Sequence, residues 1–207
     1  MNVFNILNRF ESAYSHKRPI PHFTERQWEE LLGFFQQMRL YENVRIVAEA
    51  AYKQYPQQWH FLIMQAQALC ETGKYKEAMA SLEEFADKQE DCENLFLYQQ
   101  LMIETLFGLN KTKEALERSE RYISQIMEEL KSEKYMYDEA DDEMEISELK
   151  ERNEHLFSDL LDFAHLLHYY NNDERALELL QQLTDLENLS NDRLFSIGQT
   201  MNKLGFF

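Results

Sequence analysis

The sequence predicts an all-α protein built as a solenoid of helix–turn–helix units, and three observations predict it. Glycine and proline are scarce, 5 and 3 among 207 residues, too few turn-formers for a many-stranded β fold. Apolar residues recur at three- and four-residue intervals, the period of a helix with one buried face. One pattern is also written three times: TGKYKEAMASLEEF at 72–85, LNKTKEALERSERY at 109–122 and YNNDERALELLQQL at 170–183. Each copy opens on a polar turn (Gly73-Lys74, Asn110-Lys111, Asn171-Asn172). A small residue follows, Ala78, Ala115 or Ala176, and then a larger apolar one, Met79, Leu116 or Leu177. Glycine and asparagine tolerate the left-handed backbone that ends a helix. Alanine lets two helix backbones approach.

Along the chain, residues 1–24 read as a capping helix and loop. Val3, Phe4, Leu7, Phe10 and Tyr14 share one side of a helix over 2–15, which Pro19 and Pro21 cannot continue. Such a helix covers the open end of a stack. Thr24 with Gln27 three residues on is a capping-box start for a first repeat, 25–58. Its stripes are Trp28, Leu31, Leu32 and Phe35, then Val44, Ala48 and Ala51, with a turn at Arg39-Leu40 and Pro56 near the close. A second repeat, 59–92, carries Leu62, Ala66 and Leu69, then Ala78, Leu82 and Phe85.

The third repeat is 96–129. A fourth, 157–190, carries Leu160, Phe163, Ala164 and Leu167, then Ala176, Leu180 and Leu183. Residues 191–207, with Leu194, Ile197 and Met201, form a closing half-repeat. The steps are 34 residues from Val44 to Ala78, 37 to Ala115 and 61 to Ala176. A recurrence near 34 residues is the period of stacked helix pairs, and the longest step marks an insertion at 130–156. There the apolar stripe runs on through Tyr122, Ile126 and Leu130, and the next helix is expected from near Ser147. The reading is an elongated helical hairpin with an acidic tip, YMYDEADDEMEIS at 135–147. The whole chain, 1–207, reads as a single domain.

These residues resemble the tetratricopeptide repeat, whose pattern runs from a large apolar residue through Leu, a small residue and an aromatic to Gly-x-Tyr, Ala and a closing Pro. Residues 59–92 match best, through Gly73, Tyr75 and Ala78; residues 25–58 match through Trp28, Leu31, Tyr41, Ala51 and Pro56. Leu32 and Ile103 stand where that family prefers a small residue, and Arg39 where it prefers glycine. The resemblance implies a right-handed α-α superhelix whose first helices line a concave groove that receives an extended or helical peptide. Carried onto this chain, the groove takes His60 and Gln67, then Gln100, Glu104 and Phe107. It continues through Leu161, His165 and His168 to Phe195 and Gln199, with Arg26, Glu29 and Ile63 beside them. Amide and imidazole groups there suit a peptide backbone, and the aromatic and aliphatic ones suit anchors. The Lys and Asn cluster with which chaperone-binding members clamp a terminal carboxylate is missing, so a chaperone tail is not the expected ligand.

Charge narrows the partners. The formal net charge is −17, and residues 91–207 carry 26 of the 38 acidic groups. Such a surface repels phosphate backbones and favours a basic partner over nucleic acid. No stretch approaches the roughly 20 apolar residues of a membrane helix, and MNVFNILNRF lacks the features of a signal peptide. Cys70 and Cys92 are the only cysteines, too few for a disulfide framework or a cysteine metal site. A cytoplasmic protein is expected.

No phosphate loop, nucleophile elbow or His-Glu-x-x-His motif is present. Asp159, Asp162, His165 and His168 share one helix at metal-compatible spacing, yet one helix rarely closes a site. Hence no catalytic residue, cofactor or metal is expected. The expected function is a non-enzymatic scaffold that binds a peptide or helix of another protein, through the groove, the acidic hairpin or both. The alternatives are self-association through Phe206 and Phe207, and a His/Asp metal protein or enzyme.

Overall fold

The computed structural model describes residues 3–89, 95–139, 143–186 and 189–206, with backbone alone for 133–139. All of the regular structure among these residues is helical. The chain divides into two compact units, Met1–Thr112 and Lys113–Phe207, where the sequence reads as one domain. None of the helices is long and apolar enough to cross a membrane, among the described residues.

The first unit begins with α1 (Val3–Ser15), followed by α2 (Glu25–Gln37), α3 (Tyr41–Gln54), α4 (His60–Glu71), α5 (Tyr75–Ala86) and α6 (Phe96–Gly108). Each helix packs on the next, and α4 also packs on α6. Thr24 and Gln27 cap α2 reciprocally: the Gln27 N–H donates to Thr24 Oγ1 and the Thr24 N–H to Gln27 Oε1 at 2.9 Å. Trp28, Leu31, Leu32 and Phe35 are buried against Val44, Val47, Ala48, Ala51 and Phe61 in one apolar cluster. A second cluster joins Leu62, Ala66 and Leu69 to Ala78, Leu82 and Phe85.

The side that α1 buries is Ile6, Phe10 and Ala13, rotated from the stripe read in the sequence. Phe4 and Tyr14 stay about half exposed, as ring neighbours of Phe34 and Phe10 at the rim. The proline segment is pinned by the end of α3. Gln54 Oε1 accepts from the Phe23 N–H, Gln54 Nε2 donates to Pro21 O, and Tyr55 donates to Phe23 O. Phe23 is thereby held, fully buried, edge-on to Trp28.

The second unit contains α7 (Thr112–Glu139), α8 (Glu143–Tyr169), α9 (Asp173–Thr184) and α10 (Asn191–Leu204). The α7–α8 pair is antiparallel: Tyr122 meets Phe163 while Glu129 accepts from Arg152 at 2.6 Å. Both helices run about twice as long as their neighbours, and α8 starts at Glu143, before the expected Ser147. The reason is local: Glu143 and Glu145 occupy its first turn, where acids favour the helix N-terminus. Residues 140–142 of the acidic tip, Cys92 and Phe207 lie outside the described residues. The elements α8, α9 and α10 pack mutually. Arg175 of α9 grips both carboxylate oxygens of Glu120 on α7.

Among the described residues, six helix ends share one turn. Lys17, Arg39, Gly73, Asn110, Asn171 and Gly205 all have positive φ, between 51° and 76°. At each, that residue's N–H donates three residues back and the next N–H five residues back, as Gly73 to Cys70 O and Lys74 to Leu69 O. This is the Schellman closure, which satisfies carbonyls a helix end would otherwise orphan.

Candidate functional site

In the first unit, side chains of α4 meet those of α2 on one hand, and α4 packs on α6 on the other. His60 opens α4, and the helical repeat then brings Gln67 and Glu71 round to follow it. Gln36 of α2 donates to Gln67 Oε1. The first two turns of α2 set Glu25 and Glu29 four residues apart, and both reach towards His60. Glu29 Oε1 lies 3.8 Å from His60 Nε2, and Glu25 Oε2 accepts from Gln58 Nε2 at 2.9 Å. On α6, Gln100 and Glu104 follow at helical spacing, both partly buried.

Electrostatics make this side unusual. Burial, reinforced by the neighbouring Glu71, pushes the Glu104 carboxyl up to about 7. Among the described residues, no arginine or lysine lies within ion-pair distance of Glu25, Glu29, Glu71 or Glu104. Glu42, at the start of α3, is the contrast. Arg45 and then Lys74 hydrogen-bond Glu42 and hold its carboxyl down to about 2. Beneath the acidic side, Cys70 is buried with its thiol pushed up to about 12 by burial, and its sulfur lies 3.2 Å from Thr105 Oγ1. A thiol so hard to ionise is structural.

Phe107 departs from the expected groove: it is 7% exposed, packed inward rather than offered as an anchor. Ile63 is likewise buried. The apolar composition of α6 explains this, because so many large side chains on one helix bury more than one stripe.

In the second unit, Leu161 and His165 of α8 are partly exposed, and Phe195 and Gln199 of α10 are exposed. His168 has another job. Its Nδ1 pairs with Asp173 at 2.8 Å, bracing the α8–α9 turn, and Phe206 packs edge-on against its ring. The Phe206 N–H also donates to Met201 O, so this aromatic is engaged within its own chain. Asp162 is exposed. Asp159 faces the α7 side, where burial and then Asp162 push its carboxyl up to about 6. The quartet Asp159, Asp162, His165 and His168 does not converge.

Comparison with protein-family models, curated proteins and solved structures finds no match. The chemistry must be read from the side chains themselves.

The convergence that sequence reasoning missed is Glu25, Glu29 and His60, whose ligand-type atoms all lie within 4.8 Å of one another. No other group of three or more His, Cys, Asp or Glu does so among the described residues. Its signal was faint: an i, i+4 glutamate pair at the start of one first helix and a histidine at the start of the next.

Proposed function

We propose that the protein is a non-enzymatic helical-repeat scaffold of tetratricopeptide type, which binds a basic peptide or helix of another protein along α2, α4 and α6. The observation that carries this reading is the uncompensated acid on that side. Glu104 is half-buried beside Glu71, and among the described residues neither has an arginine or lysine within ion-pair distance. A lysine or arginine from a partner would complete the arrangement, and a desolvated carboxylate rewards it more than a fully solvated one does. Gln67 and Gln100 supply amides for the backbone of the bound segment. The recurring turns at Arg39, Gly73, Asn110 and Asn171 support the repeat assignment.

A second surface is favoured by a specific feature. The helices α7 and α8, with 28 and 27 residues, run on beyond α9. Met144 at their far end is 70% exposed among acids. This hairpin is a second docking element for a partner of the same charge.

Selection of a displayed library of short random peptides against the purified protein tests both surfaces. Binders are re-measured against Glu71→Lys with Glu104→Lys, and against a chain lacking 135–147. Enrichment of Lys- and Arg-bearing peptides that lose affinity only with the charge reversal is the expected result. Loss only with the deletion moves the site to the hairpin. Binders insensitive to both would overturn the reading.

A further inference from the structure

We propose that Glu25, Glu29 and His60 form a binding site for a divalent transition-metal ion of the zinc type, bridging α2 to α4. Four observations converge on it. The three donor atoms lie within 4.8 Å of one another, from two helices 31 or more residues apart in sequence. His60 Nε2 is shielded from solvent and has no hydrogen-bond partner, although 41% of its side chain is open. At 3.8 Å from Glu29 Oε1 it is too far for a hydrogen bond. Finally, neither glutamate has an arginine or lysine within ion-pair distance among the described residues.

An imidazole nitrogen aimed at two carboxylates, shielded yet unpaired, calls for an electrophile between them. A buried polar atom without a partner costs free energy, and a bound ion is one of the few ways to recover it. Two carboxylates and a neutral imidazole are the donors that hold zinc, with water completing four-coordination. Donor atoms about 2.0–2.1 Å from the ion stand roughly 3.3 Å apart in a tetrahedron. The partly exposed side chains therefore close on the ion by about 1 Å or less each. The outer shell is in place: Gln58 Nε2 holds Glu25 Oε2 at 2.9 Å. That leaves the other oxygen free to bind and fixes the carboxylate's direction. Ligation would tie the first helix of one pair to the first helix of the next. The inference does not rest on the peptide-binding reading.

Zinc chloride titrated calorimetrically into untagged, EDTA-stripped protein tests it. Wild type is compared with His60→Ala, Glu29→Gln, Gln58→Leu and a His165→Ala/His168→Ala control. The expected result is one zinc per chain, with affinity falling roughly tenfold or more in the first three variants and unchanged in the control. The His60 Nε2 resonance should move on saturation, and zinc should raise the Tm of wild type but not of His60→Ala. Glu29 is 53% exposed, so its substitution opens no core, and circular dichroism verifies each fold. Absence of stoichiometric binding in wild type, or binding undiminished in both His60→Ala and Glu29→Gln, would overturn the proposal.

Discussion

Glu104 shows how one residue sets a pH dependence. Its carboxyl rises from 4.5 to about 7 on folding, so the folded chain favours the protonated acid. The favourable difference is complete below about pH 4.5 and is lost as pH rises through about 7. Glu104→Gln should therefore stabilise the protein by about 1–2 kcal/mol at pH 8, after allowance for solvent screening, and by almost nothing at pH 4. Thermal melts at the two pH values check this, and equal shifts would refute it. Turn residues carry a second prediction. Gly73 sits at φ 70° with open space where a Cβ would stand, so Gly73→Ala costs backbone strain alone, about 1 kcal/mol. Arg39 pays that strain already at φ 54°. Arg39→Gly should recover up to about 1 kcal/mol in denaturant titrations, if the side chain itself does nothing there.

Among the elements, packing between neighbours decides which substitutions matter. A Cβ added to Gly108, at the end of α6, would collide with the ring of Tyr75 at the start of α5. A ring on a packed helix cannot swing aside as a flexible chain end can. Gly108→Ala should cost about 1–3 kcal/mol by overpacking, measured by urea unfolding; a neutral result would mean that the α5–α6 contact yields. In the second unit, α10 is docked through Arg193, 8% exposed. It reaches Glu154 at 3.0 Å and lies over the Phe157 ring at 5.1 Å. Because Glu154 is largely solvated, Arg193→Ala should cost about 1–2 kcal/mol, mostly through lost packing of the arginine stem. Amide hydrogen exchange should rise first in α10. A rise spread evenly over α8, α9 and α10 would count against that docking role.

At the scale of the molecule, two compact units imply two reporters. Both tryptophans, Trp28 and Trp59, lie in the first unit, whereas helical circular dichroism reads both. Leu179 of α9 is fully buried, so Leu179→Ala should destabilise the second unit by about 2–5 kcal/mol. A lowered midpoint by circular dichroism with an unmoved tryptophan transition is the expected outcome. Coincident shifts would show that the units unfold as one.

Most of the helical content was legible because period and punctuation are local properties. The stripe Trp28, Leu31, Leu32 and Phe35 is buried as its spacing demands, and Thr24 caps α2 through a residue three positions on. The candidate site was much less legible. Gln67 meets Gln36 and Glu104 lies beside Glu71, but Phe107 turns inward and His168 braces a turn. Nothing local separates these fates, since each side chain sits at a similar helical register.

By itself, the sequence determined that this chain is helical, where most of its turns fall and which stripes α2 to α5 bury, because 3.6-residue periodicity and left-handed turn positions are written within a few residues. Only the tertiary structure decided that Glu25 and Glu29 meet His60, that burial and then Glu71 raise Glu104, and that Gln36 meets Gln67. Those are meetings between residues about 30 apart in the chain, and their distances follow from how helices pack rather than from any pattern along one helix.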